Sequence, residues 1–258
     1  MPRVRNRRPL KAFAVMALYR TLKSAYRTLI PERLRRLTHD NRYPLHYLFN
    51  PIKLTLQRFA PHDEVYDETY YAEAVEPRIR KSAEVMAGSI YREFHPTLVV
   101  DVGCGTGELL EALKEHGVRA LGFERSEAAL KIARAKGVEV IPLDLEQPID
   151  RLEVRQADVV ISTEVAEHLP KSFADTFVEY LCRIAGTVVM TAATPGQGGT
   201  DHVNEQPNEY WIEKFRSRNF SYDPERTLRL RHDWEDAEIA SFYYANLMIF
   251  HKAGAGGA

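Results

Sequence analysis

The chain has 258 residues, of which 45% are hydrophobic, 28% charged and 10% aromatic. These proportions are typical of a globular protein with one sizeable core, and they exclude a disordered, collagen-like or coiled-coil chain. The two cysteines exclude a disulfide framework and predict a reducing, cytoplasmic location.

The formal net charge of −1 hides an uneven distribution of charge along the chain. Residues 1–42 contain twelve Lys or Arg residues and two acids, a local charge of +10. The 35 basic and 36 acidic residues of the chain, less those of this segment, leave 23 and 34 in residues 43–258. A basic segment on an acidic body indicates either an anionic partner or a segment that folds back onto the body.

Within the basic segment, apolar residues recur at helical spacing and predict a helix that Pro31 ends. The apolar face contains Val15, Leu18, Leu22, Ala25 and Leu29, and the basic face contains Arg20, Lys23 and Arg27. We therefore predict a basic helical extension over residues 1–60. Its helix either lies on an anionic membrane surface, as a peripheral contact, or packs over the following domain.

From residue 97 onward, strand patterns alternate with helix patterns. Apolar, β-branched runs predict strands at 97–102, 119–123, 138–143, 157–162 and 187–191. This alternation predicts right-handed βαβ units and a doubly wound, Rossmann-like α/β domain over residues 61–252. Residues 253–258 form a short Gly/Ala tail without side chains that could pack, so we expect it to be flexible.

Polar groups follow the carboxyl ends of the first three predicted strands. Asp101 leads into a turn whose glycines, at 103, 105 and 107, let a ligand approach the backbone. Glu124 ends the second strand, where a ribose hydroxyl would lie, and Asp144 ends the third, where a nucleobase amino group would lie. Together these positions predict a nucleoside site.

Glu108 bears on which nucleoside is bound. A dinucleotide-binding turn would have glycine at this position, and a carboxylate at the start of the helix would repel a diphosphate. This argues against a nicotinamide or flavin cofactor. It favours a nucleoside with an uncharged or cationic tail, such as S-adenosylmethionine.

The segment Asp101-Val-Gly-Cys-Gly-Thr-Gly107 resembles the first motif of the class I S-adenosylmethionine-dependent methyltransferases, and Glu124 and Asp144 match the ribose and adenine acids of that class. The resemblance covers roughly residues 62–252. It implies a seven-stranded, mostly parallel sheet, in which the last strand, Tyr243–Lys252, inserts antiparallel at the edge. The cofactor-binding residues that we expect on this basis are Asp101, Gly103, Cys104, Gly105, Gly107, Glu124, Arg125, Asp144, Leu145 and Thr163.

Candidate reaction residues follow the fourth and fifth predicted strands. Methyl transfer from a sulfonium requires an aligned acceptor and, for an oxygen, removal of its proton. Glu164, Glu167 and His168 have a spacing that would place them on one side of a helical turn, and a glycine-rich loop brings His202 to the same rim.

Three interpretations of these four residues stay open. In one, His168 or His202 is a general base. In another, Glu164, Glu167, His168 and His202 hold a divalent cation such as Mg²⁺, which acidifies the acceptor hydroxyl. In the third, the motif only caps turns. The pattern resembles that of the metal-dependent 2′-O-methyltransferases of small RNAs, and its first part also that of ubiquinone-biosynthesis O-methyltransferases.

The function that we expect is O-methylation of a small molecule such as a sugar, a lipid-linked compound or a secondary metabolite. The acidic body disfavours a nucleic-acid acceptor, because a phosphate backbone would require a basic groove there. The alternatives are a metal-dependent RNA 2′-O-methyltransferase and a binding module that has kept the fold but lost catalysis.

Overall fold

The computed structural model describes residues 20–21, 24–26, 28–29, 71, 76–147, 156–199 and 201–254. The chain divides into two compact units, residues 1–75 and 76–258. In the first unit, the described residues between 20 and 29 are helical, as predicted, and Leu29 keeps 75% of its surface exposed. The predicted apolar residues Val15, Leu18 and Leu22 lie outside the described residues. No helix in the described ranges has the length and hydropathy needed to cross a bilayer.

The second unit alternates strands and helices along the chain, as the sequence predicts. Its elements are α1 (Glu76–Phe94), β1 (Leu98–Val102), α2 (Glu108–Glu115), β2 (Arg119–Glu124), α3 (Glu127–Ala135), β3 (Glu139–Pro142), β4 (Val159–Thr163), the single-turn 3-10 helices Ala166–His168 and Lys171–Phe173, α4 (Ala174–Ile184), β5 (Thr187–Thr191), α5 (Asn208–Arg216), β6 (Phe220–Tyr222), α6 (Pro224–Asp236), α7 (Ser241–Asn246) and β7 (Met248–Lys252).

The seven strands form one sheet in the order β3-β2-β1-β4-β5-β7-β6. The neighbours among β1 to β5 pair in parallel, whereas β7 is antiparallel to both β5 and β6. Six strands therefore run in one direction and β7 runs against them, which confirms the predicted doubly wound sheet. The strand order reverses between β1 and β4, so the crevice at their carboxyl ends is where such a sheet binds a ligand.

Helices cover both faces of the sheet and create two apolar cores. Along β1, Val100 and Val102 belong to the core that contains α4 and α5, and Val99 belongs to the core that contains α1, α2 and α6. Successive side chains of a strand point to opposite faces, so a strand covered on both sides is apolar throughout. Trp211 of α5 and Trp234 of α6 are fully buried, one in each core.

The prediction for the last strand, Tyr243–Lys252, is wrong in two respects: the strand begins later, and it lies between β5 and β6 and not at the edge of the sheet. Residues Ser241–Asn246 form the helix α7, and only Met248–Lys252 forms β7. Aromatic residues have a high strand propensity, which makes the run from Tyr243 look extended in the sequence. Strand β7 pairs with Thr187–Met190 of β5 through its residues from His251 back to Met248. The residues before Met248 therefore have no pairing partner on β5.

Candidate active site

The turn after β1 is built from glycines that the backbone requires. Gly103, Gly105 and Gly107 have φ values of 83°, 53° and 79°, a region that favours glycine. A Cβ atom on Gly103 would lie 2.3 Å from a methyl of Val165, and one on Gly107 would lie 2.8 Å from a methyl of Val138. A Cβ atom on Gly105 would meet no described atom within 4 Å. Gly103 and Gly107 therefore allow close packing, and Gly105 leaves open space beside the backbone.

The side chain of Cys104 packs between the glycine turn and β2. A Cβ atom on Gly122 of β2 would lie 2.4 Å from the Cys104 Sγ atom, so the thiol occupies the space that this glycine leaves free. Burial raises the pKa of the Cys104 thiol well above its usual value. The residue acts in packing, because a buried and protonated thiol is a poor nucleophile.

Glu124 ties the end of β2 to the glycine turn. Its Oε2 atom accepts a hydrogen bond from Gly105 N at 2.9 Å, and its Oε1 atom accepts from Arg125 N at 2.8 Å and Ser126 N at 2.7 Å. The Ser126 side chain caps α3, as the sequence predicts, by accepting from Ala129 N. Glu124 is thus held rigidly. Its Oε1 atom already accepts two hydrogen bonds, and its Oε2 atom keeps a lone pair for a further donor such as a ribose hydroxyl.

Asp101 is buried beside this network, and hydrogen bonds do not fully compensate its carboxyl group. It is 3% exposed, and its Oδ1 atom has no hydrogen-bond partner among the described residues. Burial, and then the negative charge of Glu124, raises the pKa of Asp101 to about 7. A donor or a cation placed at the turn would satisfy this carboxyl group.

The predicted adenine side lies at the ends of β2 and β3. Asp144 accepts a hydrogen bond from Glu146 N at 3.0 Å. The Arg125 side chain reaches across to both acids, 2.7 Å from the Glu146 carboxylate and 3.7 Å from that of Asp144. Leu145 is buried, and Thr163 is half-buried at the end of β4.

The sequence argument based on Glu108 is wrong in its premise. The carboxylate of Glu108 forms an ion pair with Lys136, which also donates a hydrogen bond to the carbonyl oxygen of Thr106. The negative charge at the start of α2 is therefore compensated and gives no reason to exclude a diphosphate. The choice of cofactor therefore depends on the other residues of the turn.

Three of the predicted reaction residues come together at the 3-10 turn after β4. Glu167, His168 and His202 each offer one ligand atom, and these three atoms lie within 4.8 Å of one another. The two imidazole rings contact edge to face with their centroids 5.0 Å apart. Ligand atoms that share one ion at bonds of about 2.1 Å lie about 3 to 4 Å apart, so binding of a Zn²⁺ or Mn²⁺ ion would require side-chain rotations that bring these three atoms closer together.

Glu167 is the residue of this group whose charge is least compensated among the described residues. Its side chain is fully buried, and neither carboxylate oxygen has a hydrogen-bond partner in the described ranges. Burial, and then repulsion by Glu164, raises the pKa of Glu167 to about 9. A divalent cation held with His168 and His202 would compensate this carboxylate.

Glu164 lies outside the three-residue group. It has a φ of 54°, and the helical turn begins only at Ala166, so the predicted helical alignment of Glu164 with Glu167 is wrong. Its carboxylate accepts hydrogen bonds from Gln197 Nε2 at 3.0 Å and Asn246 Nδ2 at 3.4 Å. The structure thus clusters three of the four predicted ligands, whereas Glu164, although close enough to Glu167 to raise its pKa, is hydrogen-bonded to Gln197 and Asn246.

Several residues at this rim were not predicted from the sequence. Glu205 accepts hydrogen bonds from the loop that carries His202, and Gln197 and Asn246 contact Glu164. Tyr243 of α7 is half-buried, and burial, then the charges of Glu164, Asp101 and Glu167, raise the pKa of its hydroxyl. The misassigned last strand hid Tyr243 and Asn246, whereas the position of Glu205, three residues after His202, was a usable signal.

The sequence leaves two roles open for each of two aromatic groups: the tyrosines either close over the cofactor or pack under a helix, and Tyr210 and Trp211 either line the acceptor pocket or reach the core. Tyr66 and Tyr70, which resemble a segment that closes over the cofactor, lie outside the described residues, and Tyr71 is buried. Trp211 belongs to the core, and Tyr210 beside it is half-buried.

Comparisons with known proteins agree with this architecture. The family model "Methionine biosynthesis protein MetW" matches residues 92–197. A ubiquinone biosynthesis O-methyltransferase of Bordetella avium is 34% identical over 102 residues, which are 38% of this chain and 41% of the relative. The chain thus spans about two fifths or less of the curated relatives that it matches.

Solved structures are similar over a larger part of the chain. Magnesium protoporphyrin IX methyltransferase (ChlM) from Synechocystis PCC 6803 with bound SAH has a TM-score of 0.51 and 17% identity, covering 67% of this chain and 83% of that one. The DhpI–SAH complex has a TM-score of 0.53 and 16% identity, covering 75% and 94%. At these identities the likeness concerns the fold.

Proposed function

We propose that this chain, whose fold is that of the class I S-adenosylmethionine-dependent methyltransferases, transfers a methyl group from S-adenosylmethionine to an oxygen of a small molecule. The observation that carries the proposal is the glycine turn bonded to Glu124 at the switch point of the sheet, beside the group of Glu167, His168 and His202. The curated relatives named as O-methyltransferases support an oxygen as the acceptor atom.

In this proposal each strand end binds one part of the cofactor. The Oε2 atom of Glu124 accepts from a ribose hydroxyl, and Asp144 and Leu145 lie beside the adenine next to Arg125. The methionine part follows the backbone from Gly103 to Gly107. Asp101, with its unbonded oxygen, is the group that a positively charged methionine end would satisfy.

The reaction is an in-line displacement that the protein assists by alignment and proton removal. The acceptor oxygen forms a bond to the methyl carbon while the carbon–sulfur bond breaks, and the sulfur keeps the electron pair of that bond as S-adenosylhomocysteine leaves. The acceptor proton passes to an imidazole of His168 or His202 when these groups act as bases. Alternatively, Glu167, His168 and His202 would hold a divalent cation, which supplies Lewis acidity towards the acceptor hydroxyl.

The cofactor part of the proposal is tested by calorimetry with S-adenosylhomocysteine. We expect the wild type to bind it and Glu124→Gln to weaken binding at least about tenfold, because the charge-assisted hydrogen bond to the ribose is lost and the amide nitrogen cannot accept from the backbone N–H groups of the turn. Glu127→Gln, at an exposed acid of α3, is the matched control and should bind as the wild type does. Binding of NADH instead of S-adenosylhomocysteine would contradict the proposal.

The acceptor and the cation are tested by turnover. Incubation with S-adenosylmethionine and a mixture of hydroxylated small molecules should give a product heavier by one CH₂ group. Chelation that leaves the rate unchanged would assign proton removal to His168 or His202. Loss of turnover that Mn²⁺ or Mg²⁺ restores would support the cation, and direct binding of Mn²⁺, measured by its electron paramagnetic resonance signal, gives a readout apart from activity.

We further propose that residues 1–42 bind an anionic membrane surface. The support is the local charge of +10 and the exposure of Ala25 and Leu29 on the predicted apolar face. Each Lys or Arg near an anionic surface contributes about 1 kcal/mol, so reversing three charges should weaken binding well over tenfold.

Vesicle flotation of the full chain tests this membrane proposal. Arg20→Glu/Lys23→Glu/Arg27→Glu should lose flotation with phosphatidylglycerol-containing vesicles. Lys81→Glu/Arg134→Glu/Arg183→Glu has the same net charge but changes exposed residues of the second unit, so it should float like the wild type. Equal flotation of all three proteins, or of none, would refute the membrane contact.

A further inference from the structure

Glu205 sits at the centre of the loop that follows β5. Its Oε1 atom accepts from Gly198 N at 2.7 Å and lies 2.8 Å from His202 Nδ1, and its Oε2 atom accepts from Gly196 N at 2.8 Å. The side chains of His202 and Glu205 are only 11% and 19% exposed, so water competes little for these bonds. Three donors from one loop thus converge on one carboxylate.

The glycines of this loop make that convergence possible. Gly196 and Gly198 have φ values of 91° and 66°, and backbone in this region turns nearby N–H groups towards one point, as in anion-binding nests. Here the anion is the chain's own Glu205. The loop is also fastened to the turn after β4, because Val203 N and Asn204 N donate to the carbonyl oxygen of Glu167 at 2.9 and 3.0 Å.

The same contacts fix the ring of His202. A Cβ atom on Gly199 would lie 2.3 Å from its Nε2 atom and 2.6 Å from its Cε1 atom, so the ring fills the space beside this glycine. A carboxylate can only accept, and the His202 Nδ1 atom must therefore donate its proton to Glu205. The Nε2 atom then keeps its lone pair, and it is the ring nitrogen able to bind a cation or take up a proton.

We propose that Glu205 is a positioning residue for His202: it takes the hydrogen bond of Nδ1–H, makes Nε2 the basic nitrogen of the site, and holds residues 196–205 against the turn at Glu167. This inference rests on the site of the proposed function, and it applies whether His202 acts as a base or as a cation ligand. Partners of this kind change metal affinity or activity by about 10- to 100-fold when they are removed.

Two substitutions separate the roles of the carboxylate. Glu205→Ala removes the acceptor of the Nδ1 proton and leaves the N–H groups of Gly196 and Gly198 without their partner. In Glu205→Gln, a carbonyl oxygen at the place of Oε1 still accepts from Gly198 and His202, and only the bond from Gly196 is lost. The amide should therefore rescue the tautomer of His202, whereas the truncation should not.

The experiment uses the full chain labelled with ¹⁵N-histidine. The ring nitrogen shifts of His202, assigned by their loss in His202→Asn, report its tautomer, and titration with Mn²⁺ reports cation affinity. We expect the Nδ1–H tautomer in the wild type and in Glu205→Gln. In Glu205→Ala we expect a mixture of tautomers and a 10- to 100-fold weaker Mn²⁺ affinity. Glu209→Gln, at an exposed acid of α5, is the control and should match the wild type.

The outcomes separate this inference from the proposed function. A wild-type His202 with its proton on Nε2, or a Glu205→Ala protein whose His202 tautomer matches that of Glu209→Gln, overturns the role of Glu205. Lack of S-adenosylhomocysteine binding overturns the proposed function and leaves the tautomer measurement valid. If the wild type binds no Mn²⁺, the tautomer of His202 alone decides whether Glu205 has the proposed positioning role.

A second variant covers the case in which Glu205→Ala does not fold. Gly199→Ala keeps Glu205, and because Gly199 does not have a positive φ, an alanine there causes no backbone strain. Its methyl group would meet the His202 ring and displace the ring from the Glu205 carboxylate. We expect this variant to show the same mixture of tautomers. An unchanged His202 tautomer in Gly199→Ala would contradict the inference.

Discussion

Burial of the Asp101 carboxyl group makes its ionisation more costly. The carboxyl group lies at the end of β1 under the glycine turn, and no hydrogen bond in the described ranges compensates its Oδ1 atom. Its pKa of about 7 lies above the 3.8 of an exposed aspartate, so the unfolded chain releases this proton at a lower pH than the folded chain does. The folded protein should therefore lose stability as the pH rises from about 4 to 7 and level off above that range.

Asp101→Asn tests this consequence. The amide cannot ionise, so the ligand-free variant should gain stability relative to the wild type as the pH rises from 4 to 7, with a constant difference above 7. Urea unfolding of both proteins across this range measures the effect. A difference that is the same at pH 4 and pH 8 would show that Asp101 ionises normally in the folded state.

At the scale of the elements, an ion pair fastens the first two helices after the turn to each other. Glu108 begins α2, and Lys136 follows the last residue of α3. The Glu108 side chain is 8% exposed and that of Lys136 is 19% exposed, so the pair is largely shielded from water. The contact explains why a carboxylate is tolerated at the start of α2 beside the ligand crevice.

Lys136→Met should destabilise the protein by about 2–4 kcal/mol, because it leaves the Glu108 carboxylate buried without its partner. The double variant Glu108→Met/Lys136→Met should recover most of that loss, since no unpaired charge remains. Lys114→Met, which removes an exposed hydrogen bond to Gly137, is the control and should cost about 1 kcal/mol or less. Chemical denaturation measures the free energy of unfolding of all three variants. Equal losses of stability in Lys136→Met and Lys114→Met would contradict the role of the Glu108–Lys136 pair.

Features that the sequence predicts well are local in the chain. The buried strands, the glycine turn and the Ser126 cap each depend on residues within a few positions, and the structure has them where expected. The contacts that the sequence did not predict join distant positions: Glu108 and Lys136 are 28 residues apart, Gln197 and Asn246 are 49 apart, and Glu164 and Asn246 are 82 apart. Such pairings depend on how elements pack, which neither spacing nor propensity encodes.

At the scale of the whole molecule, charge is sorted between a basic start and an acidic remainder. Residues 43–258 have eleven more acidic than basic residues, and Asp101, Glu124, Glu164 and Glu167 all lie at the carboxyl edge of the sheet. The charge of Glu124 helps to raise the pKa of Asp101, and that of Glu164 helps to raise the pKa of Glu167. An edge of this kind favours a cationic ligand over a neutral one.

S-adenosylmethionine carries a sulfonium charge that S-adenosylhomocysteine lacks. At low salt we expect the former to bind about fivefold more tightly, which corresponds to about 1 kcal/mol of Coulomb attraction. The preference should shrink in Glu164→Gln and at high salt, and it should persist in the control Glu209→Gln. Calorimetry with both compounds measures the ratio, and tighter binding of S-adenosylhomocysteine at low salt would contradict the charge argument.

The state of the two cysteines has a practical consequence for labelling. Cys104 is buried, and burial raises the pKa of both thiols, that of Cys182 to about 12, so neither is a reactive thiolate near neutral pH. Val203, at the outer side of the loop that Glu205 holds, is 62% exposed. A cysteine introduced there would react with a maleimide dye far faster than the native thiols, and the fluorescence of the bound dye would report the surroundings of this loop with and without ligands.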